Sequence, residues 1–165
     1  MQPWTTVKSE YLIRDKWLTV RADSCQTPAG VSVSPYYVLE YSDWIHVVAF
    51  DSDNNVLITH QYRHAVGKIC AEILCGVVEP TESPITAARR ELCEETGCTV
   101  DQIHQIATVY ANPATHTNRI HCFLARGAVI DQLPSPDESE EIDLPLKTVP
   151  LIMQEIQPLW LGGGA

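Results

Sequence analysis

A chain of 165 residues is the length of a single domain, since domains run to about 100–200 residues. Its 45% hydrophobic and 19% charged residues exclude the disordered class. Twenty-one acids against 11 bases give a formal charge of -10, which excludes a nucleic-acid partner held on a broad basic surface and disfavours anionic membranes. An anionic ligand would have to be held by something other than net charge, and a bound cation would serve.

Trp17–Ala22 is apolar at alternate positions, and Pro35–Tyr41 is aromatic and β-branched. The turn residues Thr27–Gly30 between them predict a hairpin. Trp44–Phe50 is an almost unbroken apolar run, suited to a strand buried on both faces. Asp51–Asn55 reads as a turn, and Val56–His60 resumes the sheet. A helix opens at Ser83, whose hydroxyl can cap free amides, with Pro84 in the first helical position. Gly97 suits its left-handed closing residue. At about 100° per residue, Ile85, Ala88 and Leu92 form the stripe expected to face the sheet. Strands follow at Ile103–Tyr110 and Ile120–Ala125. Asp131–Asp143 is a loop of Pro, Ser and acids, then a short strand runs to Leu146. Thr148 and Pro150 open a last amphipathic helix with Leu151, Ile152 and Ile156. This order predicts an α+β fold with a mixed sheet and a single domain over 1–165.

The chain's start lacks the charged head and apolar run of a signal peptide. No stretch approaches the roughly 20 apolar residues of a membrane span. The six cysteines, at 25, 70, 75, 93, 98 and 122, show none of the two-residue gaps of a zinc knuckle. Reduced thiols in a cytoplasm are the expectation. The six histidines have no metal-ligand spacing either.

Glu91, Glu94 and Glu95 stand at i, i+3 and i+4 of the helix, beside its apolar stripe. They are either a solvated acidic face or a set of oxygen ligands, which would suit Mg²⁺ or Mn²⁺ rather than zinc. Like charges at i, i+4 weaken a helix, and negative charge in its last turn opposes the dipole. A sequence that keeps both has a use for them.

The surrounding residues read Gly76, five residues, Glu82, seven residues, then Arg90, Glu91, Leu92, Cys93, Glu94, Glu95, Thr96, Gly97 and Cys98. This resembles the Nudix box, Gx5Ex7REUxEExGU, with Cys98 as a small apolar stand-in for the last bulky aliphatic. The resemblance implies a loop–helix–loop over 76–98 on an α/β/α sandwich with a mixed sheet. It also implies a divalent-metal pyrophosphohydrolase acting on a nucleoside diphosphate linked to another moiety. Gly76 would let the backbone fold close beneath the metal. Arg90 would pair with Glu82, its plainer alternative being a surface arginine. Glu91, Glu94 and Glu95 would ligate the metal, with Glu94 and Arg90 part of the catalytic apparatus.

The flanks, His60–Arg63 and Ala71–Gly76, resemble the QYR and ELPAG segments of the ADP-ribose and nucleotide-sugar pyrophosphatases. Pro113, fifteen residues past Cys98, stands at the position of that branch's marker proline. Leu74 and Cys75 replace the usual Pro-Ala, so a metal-facing backbone carbonyl would come from Cys75. Arg63 is either a phosphate clamp or a structural salt bridge. Trp44 either stacks on a nucleobase or belongs to the core. Asn118 and Arg119 could contact a diphosphate or ribose, and Arg119 could equally pair with a surface carboxylate. His116 is a ligand contact or a turn residue.

Asp137–Ile142 resembles the E-x-E-[DE]-I loop of the same branch. By that match Glu138 is the general base and Glu140 an additional metal ligand. The expected activity is Mg²⁺-dependent cleavage of ADP-ribose or a related nucleotide sugar to a nucleoside monophosphate and a sugar phosphate. Dinucleoside polyphosphates or nucleoside triphosphates are rival substrates, and a non-hydrolytic ADP-ribose sensor is a rival class, though sensors tend to lose box glutamates. An adaptor has only the apolar Leu159–Leu161 in its favour. The resemblance also implies a homodimer formed through the N-terminal strands of residues 1–42.

Overall fold

The computed structural model describes residues 2–135, 142–144 and 146–152. The chain divides into two compact units, Met1–Asp43 with Thr108–Ile120, and Trp44–Ala107 with His121–Ala165.

The first unit is an antiparallel sheet of β1 (Thr5–Arg14), β2 (Thr19–Gln26) and β3 (Ser32–Glu40), in that order. Asp15 turns the chain from β1 to β2, its Oδ1 accepting from the amides of Trp17 at 2.7 Å and Leu18 at 2.8 Å. The expected hairpin is β2–β3, closed where the Gly30 amide donates to the Thr27 carbonyl at 2.9 Å. Residues 115–117 run beside β3, with the Leu39 amide on the Thr115 carbonyl at 2.8 Å and the Thr117 amide on the Leu39 carbonyl at 3.1 Å. Arg21 ties Asp23 of β2 to Glu40 of β3. The pattern of β1 escaped the sequence reading because every one of its residues is exposed, so no buried stripe marks it.

The second unit holds the core. Its larger sheet runs β10 (Gln102–Tyr110), β11 (Arg119–Arg126), β4 (Trp44–Phe50), β5 (Asn55–Leu57) and β14 (Leu146–Thr148), with β8 (Leu74–Val77) also paired to β4. The first-unit segment 108–120 includes the turn joining β10 to β11. A second sheet joins β13 (Ile142–Asp143), β6 (Thr59–Arg63) and β7 (Lys68–Glu72), and β9 (Cys98–Thr99) pairs with β12 (Val129–Ile130). The expected strand at Val56–His60 is therefore two strands, parted at Ile58 so that each half serves a different sheet.

In β4 the residues alternate: Ile45, Val47 and Ala49 are buried, and the others are only half-buried. The expectation of two fully covered faces is corrected accordingly. Those three residues pack with Leu74, Ala87, Ala88, Leu92, Phe123 and Ala125.

One helix crosses this core, α1 (Pro84–Thr96). Its ends are those the sequence predicts. Ser83 Oγ accepts the Thr86 amide, and Gly97, at φ 65°, donates its amide to the Cys93 carbonyl at 2.8 Å. The apolar stripe needs correction, since Ile85 is 42% exposed. The buried face is Ala87, Ala88, Leu92, Glu95 and Thr96. Small alanines let α1 lie close to β4 and β8, and the buried arc turns toward its C-terminal end. Residues 149–152 are helical, and Ile156 of the expected last helix lies outside the described residues.

Candidate functional site

The loop–helix–loop begins where β8 passes under α1. A Cβ at Gly76 would lie 2.2 Å from Cδ and 2.4 Å from Oε1 of Glu91. Only glycine lets that carboxylate rest on the strand. The register of β4 and β8 sets Gly76 opposite Ile45 and Cys75 opposite His46. Glu91 thus lies against the backbone immediately after Cys75, whose carbonyl the sequence singles out.

Arg90 organises the carboxylates. Its Nη2 donates to Glu82 Oε1 at 2.6 Å and to the Val77 carbonyl at 3.1 Å, which pins the loop to the helix. Its Nη1 lies 3.0 Å from Glu91 Oε1 and 2.9 Å from Glu94 Oε2. Glu82, then partial burial, then Glu94 act on the guanidinium, and its pKa is raised on balance. The Glu82 carboxyl is held below its ordinary value chiefly by Arg90. Glu95 is 8% exposed, on the face of α1 that packs inward.

Among the described residues no three His, Cys, Asp or Glu side chains converge on a common point suited to a metal ion. Two of the box carboxylates nevertheless share a single cationic atom, Arg90 Nη1, at ordinary ion-pair distance. The donor chemistry, all carboxylate oxygen, is of the kind that suits a divalent cation, and Arg90 holds two of these carboxylates close together.

Arg63, at the end of β6, is joined to Glu72 at the end of β7. Nε donates to Oε1 at 2.9 Å and Nη2 to Oε2 at 2.7 Å. Sequence reasoning missed Glu72, because only the β6–β7 pairing brings it to Arg63. Cys75 Sγ lies 3.5 Å from Arg63 Nη2 and 3.7 Å from Glu72 Oε2. Burial, and then the charge of Glu72, push the Cys75 thiol up to about 12. The Glu72 carboxyl is lowered, first by its hydrogen bonds from Arg63. Burial lowers the pKa of His46, against the opposing charge of Glu72.

Trp44 is half-buried at the start of β4, opposite Val77. Cys93 packs against Gln132, Sγ to Oε1 at 3.4 Å.

Glu138 and Glu140 lie outside the described residues, as does Leu159–Leu161. The chain on either side of the acidic loop is anchored. Before it, the amides of Asp131 and Gln132 each donate to the Gly97 carbonyl at 3.1 Å, and the Ser135 amide donates to the Glu94 carbonyl at 2.8 Å. A Cβ at Gly97 would meet the Gln132 carbonyl oxygen at 2.2 Å, so this glycine serves both the helix end and the passing segment at Gln132. After the loop, Ile142 pairs with Gln61 and Asp143 with His60. The described residues on either side of that segment are thus held at the end of α1 and on β6.

Pro113, Asn118 and Arg119 belong to the first unit. Pro113 is exposed in a turn where the Thr115 and His116 amides converge on the Asn112 carbonyl at 3.1 and 2.7 Å. The Arg119 amide donates to Asp43 Oδ1 at 2.8 Å, and its side chain is exposed. Asn118 is 1% exposed, with neither side-chain polar atom hydrogen-bonded among the described residues. The His116 ring packs edge-on against Tyr41, centroids 5.4 Å apart.

All six cysteines are free, and no helix among the described residues is long and apolar enough to cross a membrane.

Comparison with known proteins agrees with this architecture. Residues 4–39 match the nucleoside diphosphate sugar hydrolase N-terminal domain. The chain is 28% identical to a methanol dehydrogenase activator of Bacillus methanolicus, over 92% of this chain and 82% of the relative. It is 26% identical to an ADP-ribose pyrophosphatase of Bacillus subtilis, over 84% of this chain and 75% of that one. An ADP-ribose pyrophosphatase of Mycobacterium tuberculosis is 27% identical over 88% of this chain and 70% of its own length. The solved structure of an ADP compounds hydrolase superposes with a TM-score of 0.82 at 20% identity, covering 95% of this chain and 84% of that one, and so shares the fold. Residues 42–158 match the NUDIX domain, and the chain belongs to the NUDIX family.

Proposed function

We propose that this protein hydrolyses the pyrophosphate bond of ADP-ribose or a related nucleoside diphosphate sugar, giving a nucleoside monophosphate and a sugar phosphate. The observation that carries this is the pairing of a NUDIX domain over 42–158 with a nucleoside diphosphate sugar hydrolase N-terminal domain over 4–39. The ADP-ribose pyrophosphatases among its relatives point to the same substrate class.

Glu91, Glu94 and Glu95, with the Cys75 carbonyl and Glu140, would hold the divalent cation, Mg²⁺ with Mn²⁺ as a substitute. When bound, that cation offsets the diphosphate's charge and acidifies a bound water. Glu138 takes a proton from the attacking water. The water oxygen bonds to phosphorus as the bridging anhydride bond breaks, and the departing phosphate carries away the electron pair. Arg90 holds Glu82 and the loop in place, while Glu82, Gly76 and Gly97 fix the frame. Arg63, Trp44, Pro113, Asn118 and Arg119 are the candidate substrate contacts. Free cysteines support a reducing, cytoplasmic setting.

A homodimer through the N-terminal strands is part of this reading. The first unit contributes no buried apolar side chain among the described residues, and its β1 is exposed throughout. Three strands need an apolar face covered to be stable, and a second copy would cover it.

The test is product chromatography after incubation with ADP-ribose, ADP-glucose, UDP-glucose, GDP-mannose and dinucleoside polyphosphates. Mg²⁺-dependent formation of nucleoside monophosphate from the sugar-linked substrates, abolished by chelator, is expected. Turnover confined to dinucleoside polyphosphates would reject the assignment.

A further inference from the structure

The β6–β7 hairpin sets Thr59 opposite Glu72, Gln61 opposite Cys70 and Arg63 opposite Lys68. Strand alternation puts all six on one face. Arg63 and Glu72 therefore stand four residues apart along it, with Gln61 and Cys70 between. Four residues of strand span about 13 Å, so the fork between them closes only because both side chains lie along the face toward each other. Fixing two long side chains costs rotamer entropy, and a partly exposed ion pair returns little stability. Folding alone is a poor account of this arrangement.

The fork also selects which edge of the guanidinium is left. Nε and Nη2 are committed to Glu72, and Cys75 Sγ packs at 3.5 Å from Nη2. Nη1 makes no hydrogen bond among the described residues, and the side chain is 41% exposed. Both Arg63 and Cys75 feel the charge of Glu95, which places them within electrostatic reach of the box helix.

We propose that Glu72, backed by the Cys75 thiol, is a positioning residue that fixes the Arg63 guanidinium so that its Nη1 edge receives an oxygen of the substrate's diphosphate. This rests on the pyrophosphatase reading above. A guanidinium locked by a carboxylate on one edge offers the remaining N–H donors at a fixed angle, and less freedom is lost when phosphate binds. Glu72 thereby acts on binding rather than on bond cleavage.

The experiment compares Arg63→Ala, Glu72→Gln, Glu72→Asp and Cys75→Ala with the unsubstituted Mg²⁺-loaded enzyme, measuring kcat and KM for ADP-ribose and the melting temperature. Each is also titrated calorimetrically with a non-hydrolysable α,β-methylene analogue of ADP-ribose, which reads binding without turnover. Glu72→Gln is expected to raise KM and weaken binding about tenfold, with kcat within threefold. Glu72→Asp should recover part of the loss, and Cys75→Ala should weaken binding about threefold. Combined with Arg63→Ala, Glu72→Gln should add no further loss. Unchanged KM and binding in Glu72→Gln, with only the melting temperature lowered, overturns the inference and reduces the pair to a structural tie. So does additive loss in the double variant. Absence of hydrolysis by the unsubstituted enzyme across the nucleotide sugars instead overturns the reading beneath it, and the inference falls with that reading.

Discussion

Gly76 is the residue whose role the geometry explains most directly. A methyl group there would occupy the space of the Glu91 carboxylate. Gly76→Ala should therefore displace Glu91 by an ångström or more, and such displacements cost on the order of 10²-fold in rate. Turnover of ADP-ribose at saturating Mg²⁺, with calorimetric metal titration, checks this, and a fully active variant would contradict it. Glu94→Gln and Glu95→Gln each remove a carboxylate charge, that of a proposed metal ligand, without changing shape. Each should lower turnover by about 10²-fold or more while circular dichroism stays unchanged. Full activity in both would sink the metal assignment.

Asp23 supplies a pH prediction away from the site. Burial raises its carboxyl pKa, but the hydrogen bonds from Arg21 and Ser9 and the Arg21 charge outweigh that, leaving it lowered. A carboxylate depressed in the fold stabilises above its unfolded value and stops doing so as pH falls through its folded value. The stability it contributes should be full at neutral pH and lost on acidification below about pH 4. Comparison of Asp23→Asn with the parent by urea unfolding at pH 7 and pH 3 should show the difference shrinking at the lower pH.

At the scale of elements, α1 was the most legible part of the sequence and β1 the least. A cap, a proline and a closing glycine act on neighbouring residues, so local order suffices to read them. Ser83→Ala should cost about 1 kcal/mol, read from the shift in urea midpoint. Gly97→Ala should cost more, because φ 65° and the Gln132 carbonyl both oppose a side chain. The stripe misplaced Ile85 because helix periodicity says which residues share a face, whereas the sheet beneath decides how far along the helix cover extends. The same limit applies to β5 and β6. Val56–His60 is one run of apolar and β-branched residues, and its division at Ile58 follows from the two sheets it joins. Glu72 was out of reach for a related reason. Its partner is nine residues away, and only the hairpin register brings the two together.

For the whole molecule, the acidic excess has a location. Eleven of the 21 acids fall within residues 72–95 and 137–143. Those segments hold the box glutamates and the candidate base, so much of the net charge sits where a cation would be gathered. The first unit shows no such acidic excess and instead exposes apolar side chains, Val7 at 70% and Trp17 at 75%. The proposed dimer would use these exposed apolar side chains. Val7→Asp should shift the sedimentation of the protein from dimer to monomer. A parent that sediments as a monomer at micromolar concentration would remove the dimer from the proposed function.

The sequence by itself determined the family, the helix with its caps, the carboxylate set and the Arg90–Glu82 tie. All of these rest on short-range spacing, which survives being read in one dimension. The tertiary structure decided what each of those groups faces. It set Glu91 against Gly76, bridged Glu91 and Glu94 through Arg90, and committed one edge of Arg63 to Glu72. It also tied the approach to the acidic loop to the end of α1 and its exit to β6. These contacts depend on strand register and on close backbone approach, and both are properties of chain segments brought together by folding.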